Sequence, residues 1–251
     1  MTTRALVTGA ASGIGRATAL RLAKSGAAIA GVDVNGDGLA ETAALLSGAG
    51  GRVVVMTADV RDLEAVEAAV AGAAEQLGGL DGVANIAGIG DLTGDVTETP
   101  PDVWSHVLAT NLTGTFHVSR AAIPHMRAAG GGAIVNVGSQ YGLVGCLASP
   151  AYCASKAGLI GLTRAMAVDH TGEGIRVNCV CPGPVDTPML WGTSGTPEVT
   201  ARERARTQGR NMVGRSAHAE EIAAAIAFMM SEDAGSMSGS IVTVDGGWTA
   251  G

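Results

Sequence analysis

No apolar run in this chain approaches the ~20 residues that a membrane-spanning helix needs, so a membrane partner is not expected. Basic residues are outnumbered: 16 Lys and Arg face 23 Asp and Glu, a formal net charge of −7. That balance argues against nucleic acid or an anionic membrane surface as the main partner. Cysteine is sparse, with four residues in 251 (Cys146, Cys153, Cys179 and Cys181). Cys179 and Cys181 alternate along one apparent strand, and without a second Cys-x-Cys pair they make a poor zinc site. Packed reduced thiols are the expectation. The five histidines show no His-x-x-x-His spacing, so no metal is expected. Internal repeats and low-complexity runs are absent too. The N-terminus enters a strand at once, which leaves no room for a signal peptide. A cytoplasmic protein of one α/β domain is the resulting expectation.

What is present begins with Tyr152 and Lys156, in Ala151-Tyr-Cys-Ala-Ser-Lys-Ala-Gly158. Four residues apart on a helix means one face, one turn apart. A free phenol, with a pKa of about 10, is too weakly acidic to serve as a base near neutral pH. A neighbouring ammonium is expected to lower that value and make the tyrosine a usable proton carrier. Ser149-Pro150 reads as the N-cap and first-turn proline of this helix. Ser139 follows the apolar run Ala133-Ile-Val-Asn-Val137. That places it at the carboxyl end of a buried strand, where ligands bind in open α/β sheets.

The second cluster is N-terminal. Arg4-Ala-Leu-Val7 reads as a strand running into Thr8-Gly-Ala-Ala-Ser-Gly-Ile-Gly15, and a helical pattern follows. Strand, glycine loop and helix are the context of a dinucleotide-binding turn. Gly9 permits the tight turn, Gly13 lets the backbone approach a pyrophosphate, and Gly15 lets the helix pack on the sheet. The helix N-terminus offers free N–H groups and a positive dipole end. A second strand, Ala27–Val32, ends in Asp33, placed to accept from both hydroxyls of a ribose.

Strands near 4–8, 28–33, 52–57, 80–85, 133–138, 175–180 and 240–244 alternate with helical segments. The segment 62–77 is one of these, with Leu63, Val66, Val70, Ala73 and Leu77 on one stripe. Near-continuous apolar strands separated by helices predict a doubly wound parallel sheet of about seven strands, covered on both faces. The irregular stretch from 187 to 213 is long for a compact domain. With Met189, Leu190, Trp191, Met212 and Val213 it reads as a lid over a ligand.

Taken in order, these motifs resemble those of the short-chain dehydrogenase/reductase family, from Thr8 to Gly247. Asp59-Val60 follows the third strand, where the family contacts adenine. Asn85-Ile-Ala-Gly88 resembles the family's Asn-Asn-Ala-Gly, with Ile86 as a departure. Asn111 matches the fourth member of a catalytic tetrad completed by Ser139, Tyr152 and Lys156. Pro182-Gly183 and Thr187-Pro-Met189 match the segment that closes over the nicotinamide carboxamide, and Asp245-Gly-Gly247 matches the C-terminal turn.

The resemblance implies a single Rossmann-like domain and reversible hydride transfer between a nicotinamide cofactor and a secondary alcohol or ketone. Tyr152 would exchange the hydroxyl proton, Ser139 would steady the developing charge, and Lys156 would tune Tyr152 and bind the nicotinamide ribose. Asn111 would hold a water linking the lysine to solvent. Implied cofactor contacts are Gly9, Ser12, Gly13, Ile14, Gly15, Asp33, Asp59, Val60, Asn85, Ala87, Gly88, Tyr152, Lys156, Pro182, Gly183, Val185 and Thr187. Asp33 would repel a 2′-phosphate, and Ser12, Val34 and Asn35 offer nothing basic to hold one, so NAD is expected. The substrate pocket is expected at Gln140, Tyr141, Leu147, Met189 and Trp191, with Leu92, Leu143, Val144, Cys146 and Leu190 adding apolar wall. A small, largely apolar alcohol or ketone suits such a wall. The family also implies a homotetramer. Two alternatives stand beside this reading: a 3-oxoacyl-[acyl-carrier-protein] reductase, and a catalytically silent dinucleotide-binding relative. Gly130 and Glu173 stand where carrier-dependent relatives place basic docking residues, which speaks against the first.

Overall fold

Seven short apolar segments become seven strands: β1 (Arg4–Thr8), β2 (Ala28–Asp33), β3 (Val53–Thr57), β4 (Gly82–Asn85), β5 (Gly132–Val137), β6 (Ile175–Pro182) and β7 (Ile241–Val244). A computed structural model describes residues 3–48, 52–191 and 211–251. All six strand pairings are parallel, in the order β3-β2-β1-β4-β5-β6-β7. Parallel pairing requires crossovers, and helices supply them: α1 (Gly13–Lys24), α2 (Gly36–Gly48), α3 (Leu63–Leu77), α4 (Pro101–Leu108), α5 (Gly114–Ala128), α6 (Pro150–His170), α7 (Pro188–Trp191) and α8 (Ala219–Met230). The sheet and both helical layers form the single doubly wound domain that the strand pattern predicts.

Each sheet face has its own core. Val66 and Val70 of α3, Val118 and Ala122 of α5 and Met166 of α6 pack on one side with Leu6, Val83 and Ile134. Leu22 of α1, Leu39 and Leu46 of α2, and Ile222 and Ile226 of α8 pack on the other, with Val7, Ile29 and Val135. Of the stripe read from residues 63–77, Val66, Val70, Ala73 and Leu77 are buried on α3 and Leu63 at its start is half-buried. This helix has a sequence-legible start and stop: Asp62 accepts from Ala65 N–H, and Gly78 ends it in the left-handed conformation at φ 77°.

The strand order reverses between β1 and β4, so their carboxyl ends part and leave a crevice. Thr8 ties the two ends together. Its hydroxyl accepts from the N–H groups of Ile86 and Ala87 at 2.9 and 3.1 Å. Of the expected lid over 187–213, residues 192–210 lie outside the described residues, and so does the Trp191 side chain.

Candidate active site

The glycine loop opens the crevice. Gly9 has φ 68°, a left-handed conformation that glycine adopts without strain. Gly15 admits no side chain, because a Cβ there would stand 1.9 Å from the Gly9 carbonyl oxygen. Helix α1 therefore starts hard against the end of β1, with its N-terminus facing the crevice. Asp33 ends β2 beside it. One carboxylate oxygen accepts from Ala11 N–H and the other from Asn35 N–H, each at 3.0 Å. Backbone bonds thus fix the orientation of this carboxylate before any ligand arrives.

At the other end, Ser139 leaves β5 and its hydroxyl accepts from Tyr141 N–H at 3.1 Å. The Ser139 and Tyr152 side chains hydrogen-bond to each other. Lys156, one turn along α6, donates to the Val137 carbonyl at 2.8 Å. Its Nζ stands 5.6 Å from the Tyr152 ring centroid.

The protonation of the pair differs from the sequence expectation. Burial pushes the Tyr152 phenol up to about 12, and only the Ser139 hydrogen bond pulls it back. Burial likewise pushes Lys156 down to about 8, with Cys179 and Cys181 opposing. Desolvation penalises the charged form of each side chain. Burial thus favours the neutral phenol of Tyr152 and loosens the hold of Lys156 on its proton.

Asn111 lies in a π-turn, Ala109–Thr113, between α4 and α5. Wider turns of this kind recur at functional positions. The residue is fully buried. Its Oδ1 accepts from Ile89 N–H at 2.8 Å, while its amide nitrogen donates to the Ile89 carbonyl and to Ser155 Oγ at 2.9 and 3.0 Å. It braces the wall behind the cavity rather than lining it.

One cavity of about 530 Å³ joins the two ends. It is lined by Gly9, Ser12, Gly13, Ile14, Gly15, Asp33, Asp59, Val60, Ala87, Gly88, Ser139, Gln140, Tyr141, Tyr152, Lys156, Pro182, Gly183, Val185, Thr187 and Met189, as expected from the sequence. Leu92, Cys146 and Leu190 add apolar wall. Two expected groups stand off the cavity wall, and one expected cap is not made. Asn85 is 3% exposed and spends its amide on Ser119 Oγ and Asn136 Oδ1, inside the sheet. Leu147 does not reach the cavity wall and is 37% exposed, and Leu143 and Val144 are exposed too. Ser149 stands at the N-cap position, but its hydroxyl donates to the Asp91 carbonyl and caps nothing.

The sequence reading also missed lining residues. Asp91 is the most unusual: an aspartate 4% exposed, accepting from Tyr152 N–H at 3.0 Å. Arg61 and His106 join Asp59 at the far end. Arg61 Nε lies 2.9 and 3.0 Å from the two Asp59 carboxylate oxygens, and holds that carboxyl below its ordinary range. The acidic residue two places before Arg61 was the available signal. Cys179 and Cys181 sit behind Ser139 with sulfurs 3.9 Å apart, on one face as their alternation implies.

A family model described as enoyl-(acyl carrier protein) reductase matches residues 9–249. The cis-4-hydroxycyclohexanecarboxylate dehydrogenase of Sinomonas cyclohexanicum is 44% identical over 246 residues, covering 98% of this chain and 96% of its own. An inactive 2-(S)-hydroxypropyl-CoM dehydrogenase 2 of Xanthobacter autotrophicus is 44% identical over 231 residues, covering 90% of this chain and 97% of its own. Among solved structures, levodione reductase superposes with a TM-score of 0.93 at 36% identity, covering 100% of this chain and 99% of that one.

Proposed function

The chain belongs to the short-chain dehydrogenase/reductase family, and we propose that it is an NAD-dependent dehydrogenase of small secondary alcohols with Tyr152 as its acid/base. It is accordingly an oxidoreductase that moves hydride between a nicotinamide cofactor and a CH–OH carbon or the matching ketone. The observation that carries the assignment of roles is the hydrogen bond between Ser139 and Tyr152, with Lys156 5.6 Å from the phenol ring, on the wall of the cavity that also holds the glycine loop.

The residues present fit a dinucleotide. Gly15 keeps the N-terminus of α1 against β1, and the Asp33 carboxylate is held in place by two backbone N–H groups. A diphosphate would lie at the helix N-terminus and a ribose diol at Asp33. The bound nicotinamide supplies the hydride acceptor or donor. Tyr152 then takes the alcohol proton in oxidation and returns it to the oxygen in reduction. Ser139 holds that oxygen by a hydrogen bond. The Lys156 ammonium favours the phenolate when the hydride leaves, and it donates to the Val137 carbonyl meanwhile. The protonated resting phenol suits ketone reduction at neutral pH.

A small, largely apolar substrate fits the lining at Leu92, Cys146, Met189 and Leu190, where Gln140 and Tyr141 add polar groups. A carrier-bound substrate is the second reading, favoured by the description of the matching family model. Against it, Arg127 near the expected docking face is neutralised by Glu173, with both contacts at 2.8 Å. The inactive relative keeps a silent dinucleotide binder in view, but Asn111, Ser139, Tyr152 and Lys156 are all present here. The reading extends to a cytoplasmic homotetramer, supported by the family and by four cysteines outside any disulfide. Light scattering that returns the 24.9 kDa of one subunit contradicts the tetramer.

The deciding experiment follows absorbance at 340 nm with NAD and a panel of cyclohexanol, cis-4-hydroxycyclohexanecarboxylate, 2,3-butanediol and their ketones. A ketoacyl group is presented beside them on carrier protein and as a small thioester. Turnover of the simple alcohols supports the reading. A strong preference for the carrier-bound group replaces it with the second, and no turnover of any member sinks both.

A further inference from the structure

We propose that Asp91 is a positioning residue for the acid/base tyrosine: its carboxylate, in place of the Ser149 hydroxyl, caps the helix that carries Tyr152 and sets where the phenol stands beside Ser139. The inference rests on the assignment of Tyr152 given above.

The Tyr152 backbone is tied to one short segment, residues 89–93: directly at its N–H, and at its carbonyl through Ser155 and Asn111. Its N–H donates to Asp91 Oδ1 at 3.0 Å. Its carbonyl accepts from Ser155 Oγ at 2.8 Å. Ser155 in turn accepts from the Asn111 amide, which also exchanges two hydrogen bonds with the Ile89 backbone. The same segment holds the chain just ahead of α6. The Asp91 carbonyl accepts from the Ser149 hydroxyl, and Thr93 N–H donates to the Ala148 carbonyl at 3.1 Å. Ala148 is the one described non-glycine residue with positive φ, at 56°. A left-handed alanine persists only where surrounding bonds over-determine it.

The choice of residue is itself informative. A serine already occupies the N-cap position, and a serine cap carries far less desolvation cost than a carboxylate. The chain instead buries an aspartate to 4% exposure, with Oδ2 lacking a hydrogen-bond partner among the described residues. Burial pushes this carboxyl above its ordinary range, while the Tyr152 and Ala151 N–H groups pull it back. Its negative charge sits at the positive end of the α6 dipole.

That charge is expected to act on the phenol as well. Among the described residues, the groups set around Tyr152 are Lys156 and Cys153 on its own helix, Ser139 and Cys146 from the loop after β5, Cys181 from β6, and Asp91 from the loop after β4. Of these, Asp91 is the one carboxylate. A negative charge disfavours the phenolate, so its loss makes Tyr152 easier to ionise.

The test compares wild type, Asp91→Ala and Asp91→Asn, with Tyr152→Phe alongside, using NAD and the fastest alcohol of the panel. In Asp91→Ala, kcat is expected to fall roughly tenfold or more through misplacement of the phenol, with KM for NAD within about twofold of wild type, since Asp91 is placed at α6 rather than at the glycine loop. Asp91→Asn keeps an acceptor for Tyr152 N–H and is expected to restore most of kcat. In both variants the pH at which oxidation half-rises is expected to move down by about half a unit or more. Unchanged kcat in Asp91→Ala overturns the proposal. So does a loss with the pH profile unmoved in both variants, since a merely structural residue lowers stability without touching that profile. A tenfold rise in alcohol KM with unchanged kcat makes Asp91 a substrate contact and overturns it too. Should Asp91→Ala fail to fold, the pH shift in Asp91→Asn decides alone. An active Tyr152→Phe removes the underlying assignment and the inference together, whereas an inactive Tyr152→Phe with unaffected Asp91 variants removes only the inference.

Discussion

Lys156 stands over the Tyr152 ring but is anchored elsewhere: its Nζ donates to the Val137 carbonyl at 2.8 Å while lying 5.6 Å from the ring centroid. The ammonium is thus fixed by the sheet, not by the tyrosine it serves. Replacing the phenol therefore leaves the lysine anchored. Tyr152→Phe is expected to lower kcat by about 10²–10⁴, the usual worth of a general acid/base, with NAD still bound in a fluorescence titration. Tyr141→Phe, which removes the only other phenol and keeps the ring packed edge-on against Trp248 at 5.7 Å, should stay within a few-fold of wild type in the same assay. Near-normal turnover by Tyr152→Phe contradicts the assignment.

The protonation states give a pH signature. Tyr152 sits at about 12 and Lys156 at about 8 because burial disfavours both charges. Oxidation consumes the phenolate form, so its rate should climb with pH above neutrality. Reduction consumes the phenol form, so it should hold steady up to about pH 8 and gain nothing beyond it. Initial rates in both directions from pH 6 to 10 check this. Oxidation that slows as pH rises has the wrong sign for a tyrosine base.

Cofactor choice rests on one carboxylate. With both oxygens of Asp33 bonded to backbone N–H groups, the side chain cannot swing away from a 2′-phosphate. Wild type should show the higher kcat/KM with NAD. Asp33→Ala combined with Val34→Arg should lose about 10–100-fold with NAD, the scale of a hydrogen bond to a charged group, and gain with NADP. Steady-state kinetics with both cofactors settle the matter, and an NADP preference in wild type reverses the conclusion.

Gly15→Ala tests the loop. The added methyl would meet the Gly9 carbonyl oxygen at 1.9 Å, a distance no real contact tolerates. Helix α1 must then lift from β1, at about 1–3 kcal/mol in the manner of overpacked cores. A lower Tm and a weaker NAD titration are expected together. An unchanged Kd would mean that the helix N-terminus is not where the cofactor sits.

Much of the molecule was legible because two-sided burial writes itself as continuous apolar strands. The strands predicted near 4–8 and 28–33 are those observed, and the helix over 62–77 begins at its Asp62 cap. Spacing also put Tyr152 beside Lys156. What spacing lacks is the surroundings. Nothing local says that both side chains are desolvated, so the expected fall in the tyrosine pKa became a rise. Asn85 and Asn136 look alike along their strands and only the register joins them as partners inside the sheet. Ser149 resembled a cap because the rule is local, whereas the carboxylate that does the capping comes from Asp91, far off in sequence.

The strand order carries a consequence for how the chain folds. β1 is first in sequence yet third in the sheet, with Ala5 beside Ile29 on one flank and Gly82 on the other. A nascent chain halted before Gly82 can pair β1 with β2 and β2 with β3, but it leaves one flank of β1 bare. That flank is Ala-Leu-Val, fully buried in the finished protein, and an unpaired apolar edge is a template for association with other chains. Until β4 emerges and covers it, that flank is where the growing chain is most open to association.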